Sequence, residues 1–360
     1  MTKVEVDSLP VSVLTGFLGS GKTTLLNRLI QHPNMARTAV LINEFGEIGI
    51  DNMLVEHVDD NVVLMSSGCL CCTIKSDLVD TMKDLFKRRA KQEIPDFDRM
   101  VIETTGLADP APILHTLMSD PFLMSRYRLD GVITTADAML AAKTFDNHGE
   151  AVKQAAVADR IVVTKVDMAD EAAITALEDR LRALNPAAQI HRAVNGEIDP
   201  KLLFNAGLYD PETKSLDVQR WLRAEAYEEE QHGDQHGDHD HDHGHHDVNR
   251  HDDSIQAYCV YLEDRLPWDQ VASWLELLTT YRGDDILRIK GILNVAESET
   301  PVVVHGVQHM FHPPVQLDAW PDDDHRSRIV FITRDLGRDV VENMLAALTK
   351  KQGDGAIHEA

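Results

Sequence analysis

The stretch Gly16-Phe17-Leu18-Gly19-Ser20-Gly21-Lys22-Thr23 constrains this chain more than any other. It has the form G-x-x-x-x-G-K-T. The apolar run Val11 to Leu14 before it reads as a buried strand, and Thr24 to Ile30 after it reads as a helix. In such a strand, loop and helix, the backbone N–H groups of the loop and of the helix start converge on one anion, the triphosphate of a nucleotide. Gly16, Gly19, Ser20 and Gly21 form the cradle, Lys22 adds a point charge, and the Thr23 hydroxyl is placed to ligate Mg²⁺, with Thr24 beside it. A glycine-rich turn that binds nothing is the competing reading, and the flanking strand and helix weigh against it.

From Val11 to about Arg192, short apolar runs alternate with helical segments, the signature of an α/β fold with a mostly parallel sheet. The expected strands are Val11 to Leu14, Thr38 to Ile42, Val62 to Met65, Met100 to Ile102, Gly131 to Thr134, Ile161 to Thr164 and Gln189 to His191. Helices are expected over Ser76 to Ala90 and Glu171 to Leu184, the second stopped by Asn185-Pro186. A different composition begins near Ala226 and leads into a tract of alternating His, Asp and Gly that cannot build a core. Beyond it, strands over Ile255 to Leu262, Ile286 to Leu293, Pro301 to Val304 and Arg328 to Thr333 mix with helices over Trp268 to Tyr281 and Val340 to Leu348. The expected layout is a P-loop domain over 1–210, an acidic His-rich linker over 211–254 and a small α+β domain over 255–360.

Composition narrows the partners. A net charge of −25 over 360 residues argues against nucleic acid and against an anionic membrane surface. No apolar run reaches the length of a membrane span, and Met1 to Asp7 lacks the basic and apolar regions of a signal peptide, so a cytoplasmic protein is expected. The 4 cysteines, with Cys71 and Cys72 adjacent, do not suggest a disulfide framework and read as reduced thiols with a chemical role.

Ligands in parallel α/β folds gather at the carboxyl ends of strands, and the polar segments just past them carry the candidate chemistry. Glu103-x-x-Gly106 follows a strand where P-loop proteins place an acid for the Mg²⁺ shell and a glycine whose N–H senses the γ-phosphate. A strand-end carboxylate acting only as a cap is the plainer alternative. Thr164-Lys165-Val166-Asp167 is similar to the N-K-x-D signature that reads guanine: Asp167 would accept from N1–H and the exocyclic amine, and the Lys165 stem would cover the base. Thr164 stands where the signature has Asn, losing an amide that helps hold the loop and the purine. Cys69-x-Cys71-Cys72 puts three soft donors in four residues, suited to Zn²⁺ or Cu(I) rather than Mg²⁺. A fourth ligand would come from Glu47, a histidine or water. Small buried thiols are the alternative there. The tract holding His232, His236, His239, His241, His243, His245 and His246 is suited to Zn²⁺, Ni²⁺ or Co²⁺ as an auxiliary site, or is a plain solvated linker. His305, His309 and His312 read as surface or core residues rather than ligands.

These segments together resemble the CobW-like metallochaperone GTPases, a P-loop family with bacterial zinc-chaperone members. The resemblance rests on Thr15 to Thr24, Asn43-Glu44-Phe45-Gly46, Gly68 to Cys72, Glu103-Thr104-Thr105-Gly106 and Thr164 to Asp167. It implies a GTPase domain that hydrolyses GTP to GDP with Mg²⁺, metal held by Cys69, Cys71, Cys72 and Glu47, and delivery of zinc or another transition metal to a client metalloprotein. Some members carry a further carboxylate where this chain has Ile42, and a site built the same way would lack that ligand. A metal buffer with a structural nucleotide, a P-loop kinase and a cobalt-handling cobalamin-pathway protein stay open as alternatives, as does a homo-oligomer.

Overall fold

The computed structural model describes residues 8–43, 63–66, 74–204 and 255–350, and the chain divides into two compact units. The expected linker, 211–254, lies outside the described residues.

The first unit is built on a parallel sheet of β1 (Leu9–Gly16), β2 (Thr38–Asn43), β3 (Val63–Ser66), β4 (Arg99–Thr104), β5 (Tyr127–Asp137), β6 (Arg160–Thr164) and β7 (Gln189–Arg192). Their order is β3-β2-β4-β1-β5-β6-β7, and every neighbouring pair runs parallel. All carboxyl ends therefore share one edge. The chain leaves β1 towards β2 and β3 on one side, returns through β4, and then continues on the other side through β5. The point of reversal lies beside β1, where such sheets open a crevice.

The strands are apolar on both faces, as helix-covered parallel strands must be: Val11, Val13 and Leu14 in β1 and Ile161, Val162 and Val163 in β6 are all buried. Helix α1 (Lys22–Ile30) lays Leu25, Leu26 and Leu29 against Leu14, Val40, Val101 and Val162. The remaining helices are α2 (Ile74–Ala90), α3 (Ala111–Ser119), α4 (Pro121–Arg126), α5 (Ala141–Asn147), α6 (Gly149–Ala156) and α7 (Glu171–Leu184). Helices α2 and α7 match expectation. Helices α3 to α6 are not among those expected from the sequence. Their starts are local: the Asp120 carboxylate accepts from the N–H groups of Phe122 and Leu123 to cap α4, and Asp109 accepts from Ala111 N–H before α3.

The second unit is an antiparallel sheet with two helices, in line with the expected α+β domain. Strands β8 (Ile255–Leu262), β9 (Ile286–Leu293), β10 (Val302–Val307), β11 (Met310–Phe311) and β13 (Ser327–Arg334) lie in the order β11-β10-β9-β13-β8, with β12 (Val315–Gln316) against β10. Helix α8 (Trp268–Arg282) connects β8 to β9, and β13 inserts between them antiparallel to both, which makes a split β-α-β unit. Trp274 of α8 and Val341 of α9 (Arg338–Lys350) pack with Tyr258, Ile289 and Phe331, the indole meeting the Phe331 ring edge-on at 6.1 Å. The two-residue strands β11 and β12 were not expected from the sequence.

His309 has a structural role. Its Nδ1 lies 2.8 Å from Thr279 O near the end of α8 and its Nε2 3.0 Å from Asp284 Oδ1. A Cβ on Gly283 would fall 2.0 Å from this ring, which accounts for a glycine there. Among the described residues, which include His305, His309 and His312, no group of three or more His, Cys, Asp or Glu is placed to hold a metal. Among those residues no helix is long and apolar enough to cross a membrane.

Candidate nucleotide site

The loop between β1 and α1 takes backbone conformations that glycine supplies. Gly16, Gly19 and Gly21 have φ of 141°, 72° and 91°, in the region that L side chains avoid. At Gly16 space also forbids a side chain, because a Cβ would lie 2.2 Å from Thr135 Oγ1 and 2.7 Å from Thr135 O. Gly21 is the N-cap of α1 and offers no side-chain acceptor to the first turn. The N–H groups at that helix start are thus available to an anion.

Hydroxyls hold the cradle to the strands beside it. Ser20 Oγ and Thr135 Oγ1 are 2.6 Å apart, joining the loop to β5, and Thr104 Oγ1 donates to Thr15 Oγ1 at 2.9 Å, joining β4 to β1. Lys22 Nζ donates to Gly16 O at 2.8 Å and to Phe17 O at 3.1 Å, so the ammonium sits within the loop.

Across the crevice, the Thr23 hydroxyl donates to Glu103 Oε1 at 2.8 Å. Glu103 is buried at the end of β4, so a carboxylate and a hydroxyl oxygen stand side by side at the floor of a cleft of about 540 Å³ lined also by Gly21, Lys22, Gly106 and Lys165. A Cβ on Gly106 would fall 2.7 Å from Leu18 N, so the loop after β4 rests directly on the phosphate loop. Glycines with open N–H groups, an ammonium, and paired hard oxygens are the donor set that a nucleotide triphosphate with Mg²⁺ requires, and the residues fit that group.

The loop after β6 is joined to the same cradle. Thr164 Oγ1 donates to Ser20 O at 2.7 Å, and its side chain lies 3.4 Å from the position of a Gly21 Cβ. Thr164 lacks the amide of the signature, and its hydroxyl is bonded to the phosphate loop. Lys165, at a φ of 55°, donates from Nζ to Gly19 O at 2.8 Å and to Asp137 Oδ2 at 2.6 Å. Asp167 is exposed, and Thr24 is exposed on the cleft wall.

Asp137 belongs to the candidate site and is not among the residues expected from the sequence. The expected strand ends at Thr134, whereas β5 continues to Asp137, whose carboxylate orients Lys165 and accepts from Met139 N–H. Its signal was available in kind, a carboxylate just past an apolar run, three residues further along than the expected strand end. Thr135, which braces both Gly16 and Ser20, was missed for the same reason.

Strands β2 and β3 bring the chain to this same edge at Asn43 and Ser66. The proposed metal ligands beyond them, Glu47, Cys69, Cys71 and Cys72, lie outside the described residues, as do His232, His236, His239, His241, His243, His245 and His246.

Comparison with known proteins agrees with this architecture over both units. The family described as "CobW/HypB/UreG, nucleotide-binding domain" matches residues 10–192, and "Cobalamin synthesis protein cobW C-terminal domain" matches 255–349. The zinc chaperone YjiA of Escherichia coli is 32% identical over 345 residues, covering 96% of this chain and 100% of that protein. The zinc chaperone CobW of Pseudomonas aeruginosa is 31% identical, covering 94% of this chain and 90% of that protein. The crystal structure of Zn(II)-bound YjiA GTPase from E. coli superposes with a TM-score of 0.67 at 30% identity, covering 95% and 99% of the two chains. A phosphate-loop cleft closed by Thr23 and Glu103, followed by a split β-α-β second unit, thus has its counterpart in sequence along nearly the whole chain, which belongs to the CobW/HypB/UreG family of P-loop nucleotide-binding proteins.

Proposed function

We propose that this protein is a GTP-hydrolysing metallochaperone that binds zinc through Cys69, Cys71, Cys72 and Glu47 and passes it to a client metalloprotein. The observation that carries the nucleotide half is the 2.8 Å contact of Thr23 with Glu103 beneath the phosphate loop. The zinc half draws its support from relatives named zinc chaperones along almost the full chain.

In this reading Gly16 to Gly21 and Lys22 bind the phosphates, and Thr23 with Glu103 would hold a Mg²⁺, which when bound would supply positive charge to the phosphoryl oxygens. Gly106, resting on Leu18 and lining the same cleft, would be the glycine whose N–H meets the γ-phosphate. Asp167 selects guanine, with Lys165 fixed beside it by Asp137 and Gly19 O. The described residues supply no evident group to position the attacking water, so intrinsic turnover is slow and a client accelerates it. The cysteine segment falls in sequence between the phosphate loop and Glu103 and follows β3, whose end shares the crevice edge. Nucleotide and metal affinities would then be linked reciprocally: whatever factor GTP imposes on zinc binding, zinc imposes on GTP. Co²⁺ or Ni²⁺ would compete most effectively at the histidine tract, where imidazole discriminates little.

The test is GTP turnover by the purified protein with and without Zn²⁺, repeated with Cys71→Ala. Zinc is expected to change turnover in the native protein and to lose that effect in the variant. Hydrolysis that ignores zinc in both proteins would falsify the coupling and leave a metal buffer with a structural nucleotide.

A further inference from the structure

Helix α6 holds the loop that follows β4. Gln154 is completely buried on that helix, and its Nε2 donates to two carbonyls of the loop, Ala108 O at 2.9 Å and Gly106 O at 3.3 Å. Both neighbours are carbonyl oxygens, which only accept, so the amide must present its NH₂ to them and its orientation follows from the chemistry. The backbone of the same residue is fixed as well: Thr134 Oγ1 of β5 donates to Gln154 O at 2.7 Å. One position along, Lys153 Nζ lies 3.4 Å from Asp109 Oδ2 and ties α6 to the same loop a second time.

The other end of the amide is informative. Gln154 Oε1 is buried and accepts no hydrogen bond among the described residues. A buried acceptor left in that state costs on the order of 1–3 kcal/mol. An apolar side chain of similar length would avoid that cost, and what it would not supply is the pair of bonds to Gly106 O and Ala108 O.

We propose that Gln154 is a positioning residue for γ-phosphate recognition, fixing the peptide planes around Gly106 so that its N–H faces the phosphate loop. The inference rests on Gly106 acting as the γ-phosphate sensor, as in the function proposed above. Gln154 makes no hydrogen bond to the phosphate loop; its side-chain bonds reach the cleft through Gly106, which lines it, and hold the same loop at Ala108. Its contribution therefore falls chiefly on the triphosphate. A diphosphate, held by Gly16 to Thr23, has no γ-phosphate for Gly106 to meet and depends on the loop after β4 less than a triphosphate does. Helix α6 would also be the element that feels whether the γ-phosphate is present, because any shift of Gly106 or Ala108 must break or drag these bonds.

The experiment compares Gln154→Met with the native full-length protein, measuring affinities for GDP and for a non-hydrolysable GTP analogue with Mg²⁺. The variant is expected to bind GDP within twofold of native and the triphosphate analogue five- to tenfold more weakly, the loss of about one net hydrogen bond. Lys153→Met, which cuts the second tie from a partly exposed position and leaves the core intact, is expected to lower the same ratio two- to threefold. An unchanged triphosphate-to-diphosphate ratio in both variants overturns the proposal, as does a parallel fall in both affinities, which is the mark of a merely structural residue. If the native protein itself does not distinguish the two nucleotides, the sensor role of Gly106 fails first, and the inference with it.

Discussion

In the N-terminal sheet, the buried polar side chains Ser20, Glu103, Thr104, Thr135, Asp137 and Thr164 stand at the carboxyl edge, with others such as Ser12, Thr38, Asp130 and Arg160 further back along the strands, whereas in the C-terminal sheet Arg288, Lys290 and Arg328 lie along strands. Left-handed backbone occurs in both units. Gly16, Gly19, Gly21 and Lys165 take positive φ at the crevice, Arg37, Gln92, Asn195 and Gly196 take it elsewhere in the first unit, and in the second unit Gln308 takes it in the β10–β11 turn and Asp335 after β13. At the crevice it shapes the phosphate loop, and in the other places it serves chain reversal. The contrast teaches that neither buried polarity nor positive φ marks a site alone. The two coincide at the edge of the parallel sheet on loops bonded to one another, as Thr164 is to Ser20 and Lys165 to Gly19.

The strongest way to break this contrast is to damage the C-terminal unit and look for an effect at the crevice. Trp274 is fully buried between α8 and the sheet, its ring against Phe331. Trp274→Ala is expected to destabilise by about 3–5 kcal/mol, the usual cost of emptying a large aromatic site. Nucleotide affinity should stay native at temperatures where the variant is folded. Urea unfolding and nucleotide titration on the same preparation check both halves, and a fall in affinity would show that the crevice depends on this core.

Gly16→Ala tests the opposite end. The new methyl group must meet Thr135 Oγ1 and Thr135 O at a φ that alanine avoids. Strain at such a position costs roughly 1–3 kcal/mol. Because the cradle is the strained element, the loss should appear chiefly as binding, a fall in triphosphate affinity on the order of a hundredfold, equivalent to about 2.7 kcal/mol. Calorimetric titration checks it; native affinity would mean that the loop relaxes without Thr135 and that its bracing role is incidental.

The sequence made the crevice legible to the extent that its parts are local. Gly16 to Thr23 forms one loop, and Glu103 and Thr164 each directly end an apolar run. Partnerships between distant residues were not legible: Ser20 with Thr135, Lys165 with Asp137, and Gln154 with Gly106 join segments whose spatial adjacency follows from the strand order β4-β1-β5-β6. Alternating apolar runs identify strands without ordering them. The expected strand stops at Thr134 because a second hydroxyl residue, Thr135, makes a strand interior look like its end. The same logic explains the C-terminal unit, where strand and helix positions were readable and the insertion of β13 between β8 and β9 was not.

The smallest expected difference concerns charge pairs held by each unit. Glu178 on α7 accepts from Arg192 Nε at 2.5 Å and from Arg182 Nη2 at 2.9 Å, and Arg192 foremost holds its carboxyl below the usual glutamate range against the opposing effect of burial. In the second unit Arg326 foremost does the same for Asp324. A carboxyl whose folded pKa is depressed binds its proton less readily than in the unfolded chain. Its stabilisation is complete above the unfolded value, about 4.3 for Glu and 3.9 for Asp, and is lost as pH falls through the folded value. Arg192→Gln should therefore lower stability at pH 7, with a deficit that shrinks as pH drops below about 4.3. The deficit of Arg326→Gln should be smaller, because Asp324 is more open to solvent than Glu178, and should begin to shrink only below about pH 3.9. Urea unfolding of both variants, repeated from pH 7 down to the lowest pH at which each stays folded, checks the sign. A deficit for Arg192→Gln that grows with acid would mean that Glu178 is stabilised in its protonated form, and the ion pair would then contribute nothing to the N-terminal unit.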